Sequence, residues 1–483
     1  MGKNNQQRRA AKRRARAASL AAAAHHNQST SGRPATEARA DRPPERTLEP
    51  AELIAGLLSS GAELAFGPAT DEVRVEKIIQ CLVGFGSSER FRPTLAAELA
   101  TTALTAAVGV LWENGWQPLD LVHIVRRHQG ARGVALVTAV LTEQARLDRA
   151  VERAPADWSA QLASLGIGGT ATIGDGPGPW LITEWQRAQG ISTWDGWHDI
   201  LKLIGQVQTL HRLTPLGPPP SQWDDRSGSR AGSPRPAPDP ARQHADTGGH
   251  DPRMLSKIRA LLSKAEGSTF TEEADAFTSK AQDLMTRYSI DEALLEDSAG
   301  HGDVLSRRIH IDNPYAQAKV QLLSTVGGIN RVRVIWDDHH GMATAVGMAI
   351  DLELVEMLFT SLLVQATRAL TEAGNSRSTG GYQSGRLNRS PSFRRAFLLA
   401  YANRIGERLE AAGAAASTEA TSSHGAELVP VLARRAQAVD TVFDRLFPET
   451  RQMRAKQVDA RGWHAGRAAA DKAVFSSGQV ESA

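Results

Sequence analysis

Cysteine is almost absent from this sequence. Among 483 residues the one cysteine is Cys81. A single cysteine excludes an intrachain disulfide and a zinc site built from several thiolates, and it is typical of proteins from a reducing compartment. We therefore expect a cytoplasmic protein. Because Cys81 lies on an apolar helix face, we expect its thiol to be buried and inert.

Long apolar runs are also missing. The most apolar stretch, residues 99–111, is rich in Ala and Thr and follows Glu98. It is shorter than the roughly 20 apolar residues that a membrane-spanning helix needs. The N-terminus lacks a leucine-rich core followed by a cleavage site. The sequence therefore predicts neither a membrane contact nor a signal peptide.

Acidic side chains are absent from the first 18 residues, which carry seven Lys and Arg. These seven charges exceed the net charge of +3 for the whole chain, so residues 19–483 carry −4. Residues 1–48 have too few large apolar side chains to offset the entropy of ordering, which predicts a disordered basic arm. Such an arm either contacts an anionic partner or only aids solubility. The candidate anion contacts in it are Arg8, Arg9, Arg13 and Arg14.

The spacing of apolar residues divides the rest of the chain. Residues 49–213 repeat apolar side chains at 3.6-residue intervals, which predicts an all-helical N-terminal domain. Residues 214–251 are rich in Pro, Ser and Gly, which predicts a disordered linker. Residues 252–298 predict a helical hairpin, with Leu255, Ile258 and Leu262 on one face. Two helices cannot form a core alone, so the hairpin must dock on another part of the chain.

The apolar period changes in the predicted C-terminal domain, residues 303–475. Polar and apolar residues alternate over 305–311 and 332–336, and 342–348 reads as the strand that returns after a turn. Asn313-Pro314 predicts a helix start between the first two strands. Long helical segments follow, and the order is β-α-β-β-α plus further helices. The predicted fold class is mainly α with a small α+β C-terminal domain.

The hairpin carries a recognisable motif. Residues 257–266 read KIRALLSKAE, residues 273–274 read EA, and residues 280–285 read KAQDLM. This pattern resembles the domain-of-unknown-function family 2786. Residues 351–362, 394–409 and 460–470 resemble its usual C-terminal companion, family 7168, and GWQPLDL at 115–121 resembles actinobacterial members. The resemblance implies no activity, because none is attached to the family.

A second segment without acidic residues runs from residue 373 to residue 406. Its arginines, together with Tyr382 and Tyr401, are side chains suited to phosphate contact and base stacking. The alternative is that these arginines are solvated or pair with acids on neighbouring helices. The candidate anion contacts here are Arg377, Arg386, Arg389, Arg394 and Arg395.

No catalytic, metal or cofactor site is predicted. His339 and His340 beside Asp337 and Asp338 are the densest group of metal-ligand types, but they lie where a polar turn is expected. His310, His424 and His464 are isolated in sequence.

Three functions remain open on the sequence alone. The leading hypothesis is a non-enzymatic binding or adaptor protein that contacts nucleic acid through its Arg-rich segments. The rivals are a hydrolase-like enzyme whose site is assembled in the C-terminal domain, and a phage-related or structural assembly protein. A protein partner or self-association is compatible with each.

Overall fold

The computed structural model describes residues 49–67, 70–87, 92–168, 181–224, 251–268, 271–299, 303–375, 390–424, 428–450 and 459–472. It confirms a mainly helical chain with one small antiparallel sheet in the C-terminal half. Contacts group Pro50–Ala483 into one compact unit, so the helical bundle and the sheet belong to the same body.

The first half of the described chain is a helical bundle. Its helices are α1 (Pro50–Phe66), α2 (Glu72–Ser87), α3 (Leu95–Glu113), α4 (Pro118–Leu147), α5 (Ala150–Arg153), α6 (Ala156–Ser164), α7 (Leu181–Gln189) and α8 (Thr193–Thr209). Helix α3 is long and apolar enough to cross a membrane by composition. Here it is a core helix, because Ala100, Leu104 and Val108 are fully buried.

Two details of the bundle differ from expectation. Cys81 is exposed, because α2 turns Ile79 and Leu82 inward and leaves residue 81 on the outer side; the buried-thiol prediction was wrong. Residues 214–224, at the start of the predicted linker, lie against the bundle. Trp223 is buried there, and Arg153 donates to its carbonyl at 2.8 Å. Residues 225–250 lie outside the described residues.

The hairpin consists of α9 (Pro252–Gly267) and α10 (Thr271–Ala299). Asp251 caps α9 by accepting from the backbone N of Arg253 at 2.9 Å. The predicted apolar face of α9 is buried in one cluster with Met285 of α10 and Leu358 of the later helix α12 (Ala349–Asn375). The hairpin thus docks on the C-terminal unit, as expected.

The sheet contains β1 (Val304–His310), β2 (Arg333–Asp337) and β3 (Met342–Met348), in the order β1-β3-β2. Both pairings are antiparallel, with Arg308 opposite Thr344 and Trp336 opposite Ala343. Because β3 is central, its side chains are almost all buried. Helix α11 (Ala316–Ile329) connects β1 to β2, so the predicted β-α-β-β-α order is confirmed.

Three further helices complete the unit: α13 (Pro391–His424), α14 (Leu428–Leu446) and α15 (Ala460–Lys472). Helix α14 packs Val439 and Phe443 against Val346 and Met348 of β3. Helix α15 crosses α13 closely through Gly462 and Gly466. A Cβ at either glycine would collide with the backbone carbonyl of Phe393 or Phe397. The glycines are therefore required for this contact.

Candidate functional site: a cationic cleft and a buried polar junction

The predicted anion contacts fall into two groups. Arg394 and Arg395 lie in the first turn of α13. The other predicted contacts lie outside the described residues. These are Arg8, Arg9, Arg13, Arg14, Arg377, Arg386 and Arg389.

Local sequence fixes the start of α13. Ser390 accepts from the backbone N of Phe393 at 3.2 Å through Oγ, and Pro391 occupies the first helical position. Phe393 and Phe397 turn into the core, which leaves Arg394 and Leu398 on a neighbouring side of the helix. This geometry places a guanidinium beside the positive end of the helix dipole.

A cleft of about 250 Å³ opens beside Arg394. Its walls come from the turn before α11, from α11 itself, from the second half of α12 and from α13. The lining residues are Pro314, Tyr315, Lys319, Leu363, Thr367, Leu370, Thr371, Gly374, Arg394 and Leu398. Arg395 is partly buried and does not line the cleft.

The charges in this lining are all positive. Lys319 and Arg394 are present, and the lining contains no Asp or Glu. Lys319 donates through Nζ to the backbone carbonyl of Asp312 at 2.7 Å. Burial lowers the pKa of Lys319, and the nearby negative charge of Asp312, which does not line the cleft, offsets part of this shift. No carboxylate of the described residues pairs with Arg394.

Other arginines of the same unit have carboxylate partners. Arg404, three turns further along α13, donates to Glu407 at 2.6 Å. Arg467 of α15 reaches the same carboxylate at 3.0 Å, and Arg259 of the hairpin reaches Glu353 at 2.6 Å. Arg404 thus has a carboxylate partner on its own helix, whereas Arg394 is partly exposed and pairs with no carboxylate of the described residues.

Sequence reasoning missed the other polar members of the cleft. The helix start predicted at Asn313-Pro314 falls two residues later, with Tyr315 as the N-cap in a left-handed conformation (φ 66°). Tyr315 and Lys319 line the cleft although they precede Arg394 by about 75 to 80 residues in the chain. Nothing in the local pattern indicates this proximity.

A second polar cluster lies where α4 meets the sheet, and we call it the junction. On α4, Asp120, His123 and Arg127 share one face at spacings of three and four residues. On β1 and the residues just after it, Arg308 and His310 alternate with apolar positions, and Asp312 follows in the same register. Two periodic rows of charge thus face each other.

Asp120 is the centre of the junction. Arg308 forms an ion pair with its Oδ2 and also donates to the carbonyls of Gly115 at 2.9 Å and Thr214 at 2.6 Å. His310 Nε2 lies 2.8 Å from Asp120 Oδ1. Burial alone would raise the pKa of Asp120, but Arg308 and His310 outweigh it, so the pKa lies below its ordinary value. Both carboxylate oxygens are engaged.

His123 connects α4 to the turn between β2 and β3. Its Nε2 lies 3.1 Å from the carbonyl of Gly341, and its ring stacks on that of His310 with centroids 4.8 Å apart. Its Nδ1 lies 3.6 Å from Asp312. Burial, followed by the charge of His310, lowers the pKa of His123 to about 4, so the ring is neutral near pH 7.

The polar turn expected around His339 and His340 is present at residues 338–340. His340 pairs with Asp337, and its ring meets Trp116 of the bundle edge-on at 5.2 Å. Within the ranges described, no group of three or more His, Cys, Asp or Glu is arranged to hold a metal ion. His310, isolated in sequence, is one of several histidines that converge at the junction.

The two sites differ in chemistry. At the junction Asp120 is paired with both Arg308 and His310, so the arrangement holds the bundle against the sheet. In the cleft two cations share a concave surface with leucines, an aromatic ring and two threonines. The threonine hydroxyls donate to helix carbonyls at 2.7 and 2.8 Å. The cleft is therefore suited to a ligand with an anionic and an apolar part.

The comparison with known proteins gives a match for the hairpin alone. The sequence model of a family described as "Protein of unknown function (DUF2786)" matches residues 253–292, which span α9 and most of α10. No curated protein and no solved structure matches the chain. The predicted resemblance of the hairpin is thus confirmed. The hairpin supports a wall of the cleft, because Arg368 of α12 donates to the carbonyl of Ser268 at 2.6 Å.

Proposed function

We propose that this chain is a non-enzymatic binding protein that contacts nucleic acid, with the cleft as a phosphate contact. One observation carries the proposal: Arg394 and Lys319 line one cleft whose lining contains no Asp or Glu, and Arg394 pairs with no carboxylate of the described residues. A guanidinium that pairs with no carboxylate of the described residues can neutralise a phosphate, and the Lys319 ammonium has donors left beyond its bond to the Asp312 carbonyl.

The chain order strengthens this proposal. Gly374 lines the cleft, and the chain returns to it through Ser390 and Arg394. The intervening segment, which carries Arg377, Arg386 and Arg389, is therefore joined to the cleft at both ends. We infer that its arginines and those of the N-terminal arm add further phosphate contacts.

We also propose family assignments for the rest of the chain. We infer that residues 303–475 are the companion domain, family 7168, and that the bundle is of the actinobacterial type, in a cytoplasmic protein. What supports this is the position of the β-α-β-β-α unit directly after the matched hairpin. A protein partner or self-association is compatible with the proposal.

An enzyme is the weaker alternative. The His310–Asp120 pair is the arrangement most like a catalytic base and its orienting acid. Arg308, however, neutralises the same carboxylate, and both of its oxygens are engaged within the fold. The arrangement therefore favours a structural role.

Fluorescence anisotropy of a labelled mixed-sequence DNA strand tests the proposal with the full chain. We expect binding near 50 mM salt that weakens steeply toward about 200 mM, because phosphate contacts release counterions. Arg394→Gln should weaken binding about tenfold, as expected for the loss of one charged hydrogen bond.

Arg404→Gln is the matched control, since it removes an arginine of the same helix that is paired with Glu407. It should leave binding unchanged. Absence of binding to any strand at low salt, or equal loss in both variants, would contradict the proposal.

A further inference from the structure

The lining of the cleft contains more than positive charge. Leu363, Leu370 and Leu398 share the cavity with Lys319 and Arg394. Leucine side chains contribute nothing to a phosphate, but they favour an apolar or aromatic group that leaves water. The lining therefore fits both parts of a nucleotide, its charged phosphate and its flat base.

The aromatic member of the lining is held in a specific way. Tyr315 has φ 66°, a conformation that side chains other than glycine rarely adopt, and it forms the N-cap of α11. Strained backbone of this kind tends to occur where a side chain must be presented to a ligand. Tyr315 is partly buried against the apolar core and lines the same cavity as the two cations, and an aromatic ring is a group on which a base can stack.

The size of the cavity limits what enters it. About 250 Å³ lies just below the range of about 300 to 1,000 Å³ found for small-molecule sites. A cavity of that volume has no room for a stacked run of bases. A duplex keeps its bases paired inside and presents phosphates on a convex surface, so a concave apolar site gains nothing from it.

From these observations we infer that the cleft selects single-stranded nucleic acid and takes one unstacked base against Tyr315 and the leucines. The neighbouring phosphate lies at Arg394 and Lys319. This inference rests on the proposed function, but it specifies the class of nucleic acid. Single-stranded DNA and RNA share the required chemistry, and separate probes distinguish them.

The experiment compares three labelled probes against the full chain: a twelve-residue thymidine strand, its uridine counterpart, and a duplex of equal length. We expect the single strands to bind at least about tenfold more tightly than the duplex. Tyr315→Leu should remove most of that preference, whereas Tyr315→Phe, which keeps the ring, should retain it. Thermal unfolding of each variant confirms folding, and Lys319→Gln provides a second variant if Tyr315→Leu fails to fold.

The outcomes separate the two claims. Equal affinity for strand and duplex, or tighter binding of the duplex, overturns the inference and leaves the proposed function standing. Binding to no probe overturns both. A strand preference that survives Tyr315→Leu and Lys319→Gln places the contact outside the cleft and also overturns the inference.

Discussion

Arg308 at the junction and Arg394 at the cleft belong to the same C-terminal unit, yet their surroundings are opposite. The side chain of Arg308 is 5% exposed and meets Asp120 and two backbone carbonyls. Arg394 stays partly exposed, and no acid of the described residues pairs with it. A buried guanidinium must recover its lost hydration from fixed acceptors. One that keeps part of its hydration remains able to bind a ligand, so pairing and burial separate Arg308, which joins the bundle to the sheet, from Arg394, which stays partly exposed.

The largest effect should come from breaking the junction. Arg308→Met leaves the buried carboxylate of Asp120 without its main partner, and we expect a loss of about 3–5 kcal/mol in the free energy of unfolding. Urea unfolding measures it. The double variant Asp120→Leu with Arg308→Met removes both charges and should lose less than Arg308→Met alone. A loss below about 1 kcal/mol in the single variant would remove the distinction between the two arginines.

The second effect is a dependence of stability on pH that comes from the buried junction. The pKa of His123 is about 4 in the fold and near 6.5 when unfolded, so the unfolded chain binds more protons between these values. Stability should therefore fall as the pH drops from about 6.5 toward 4, by up to roughly 3 kcal/mol. The groups that face this ring are His310, Asp312, Arg127 and the carbonyl of Gly341.

Unfolding measured across this pH range checks the expectation, and His123→Gln should flatten the slope. Asp120 acts in a different range, because its lowered pKa gives stability that is present above its ordinary value of 3.8 and lost below it. A slope between pH 6.5 and 4 that is unchanged in His123→Gln would assign the titration to other groups.

A smaller effect should follow from the turn that receives His123. Gly341 has φ 70°, and a Cβ there would collide with the guanidinium of Arg127. We expect Gly341→Ala to cost about 1–3 kcal/mol, measured by thermal unfolding. Gly328→Ala in α11 is the control, because a Cβ there meets nothing within 4 Å. It should be neutral or slightly stabilising. Equal losses of stability in both variants would show that the turn does not require glycine at residue 341.

These sites also show what the sequence could and could not reveal. The strands, the hairpin and the face of α9 were predictable because each depends on a local period of two or 3.6 residues. Arg394 was a candidate because its segment lacks acids. The junction joins residues that are 188 and 190 positions apart, and each of its rows looks like ordinary surface charge when read alone. Pairing across such distances depends on tertiary packing, which no local pattern records.

The smallest effect on stability should come from the cleft. This measurement decides whether Arg394 differs from the structural Arg308. Arg394→Gln removes a charge that pairs with no acid of the described residues, so the free energy of unfolding should change by no more than about 0.5 kcal/mol. Arg404→Gln, which breaks an exposed pair with Glu407, should cost about as little. The two variants then differ only in nucleic-acid binding. If Arg394→Gln instead destabilises the fold by more than about 1 kcal/mol, its guanidinium is part of the packing, and the cleft belongs with the junction as a structural feature.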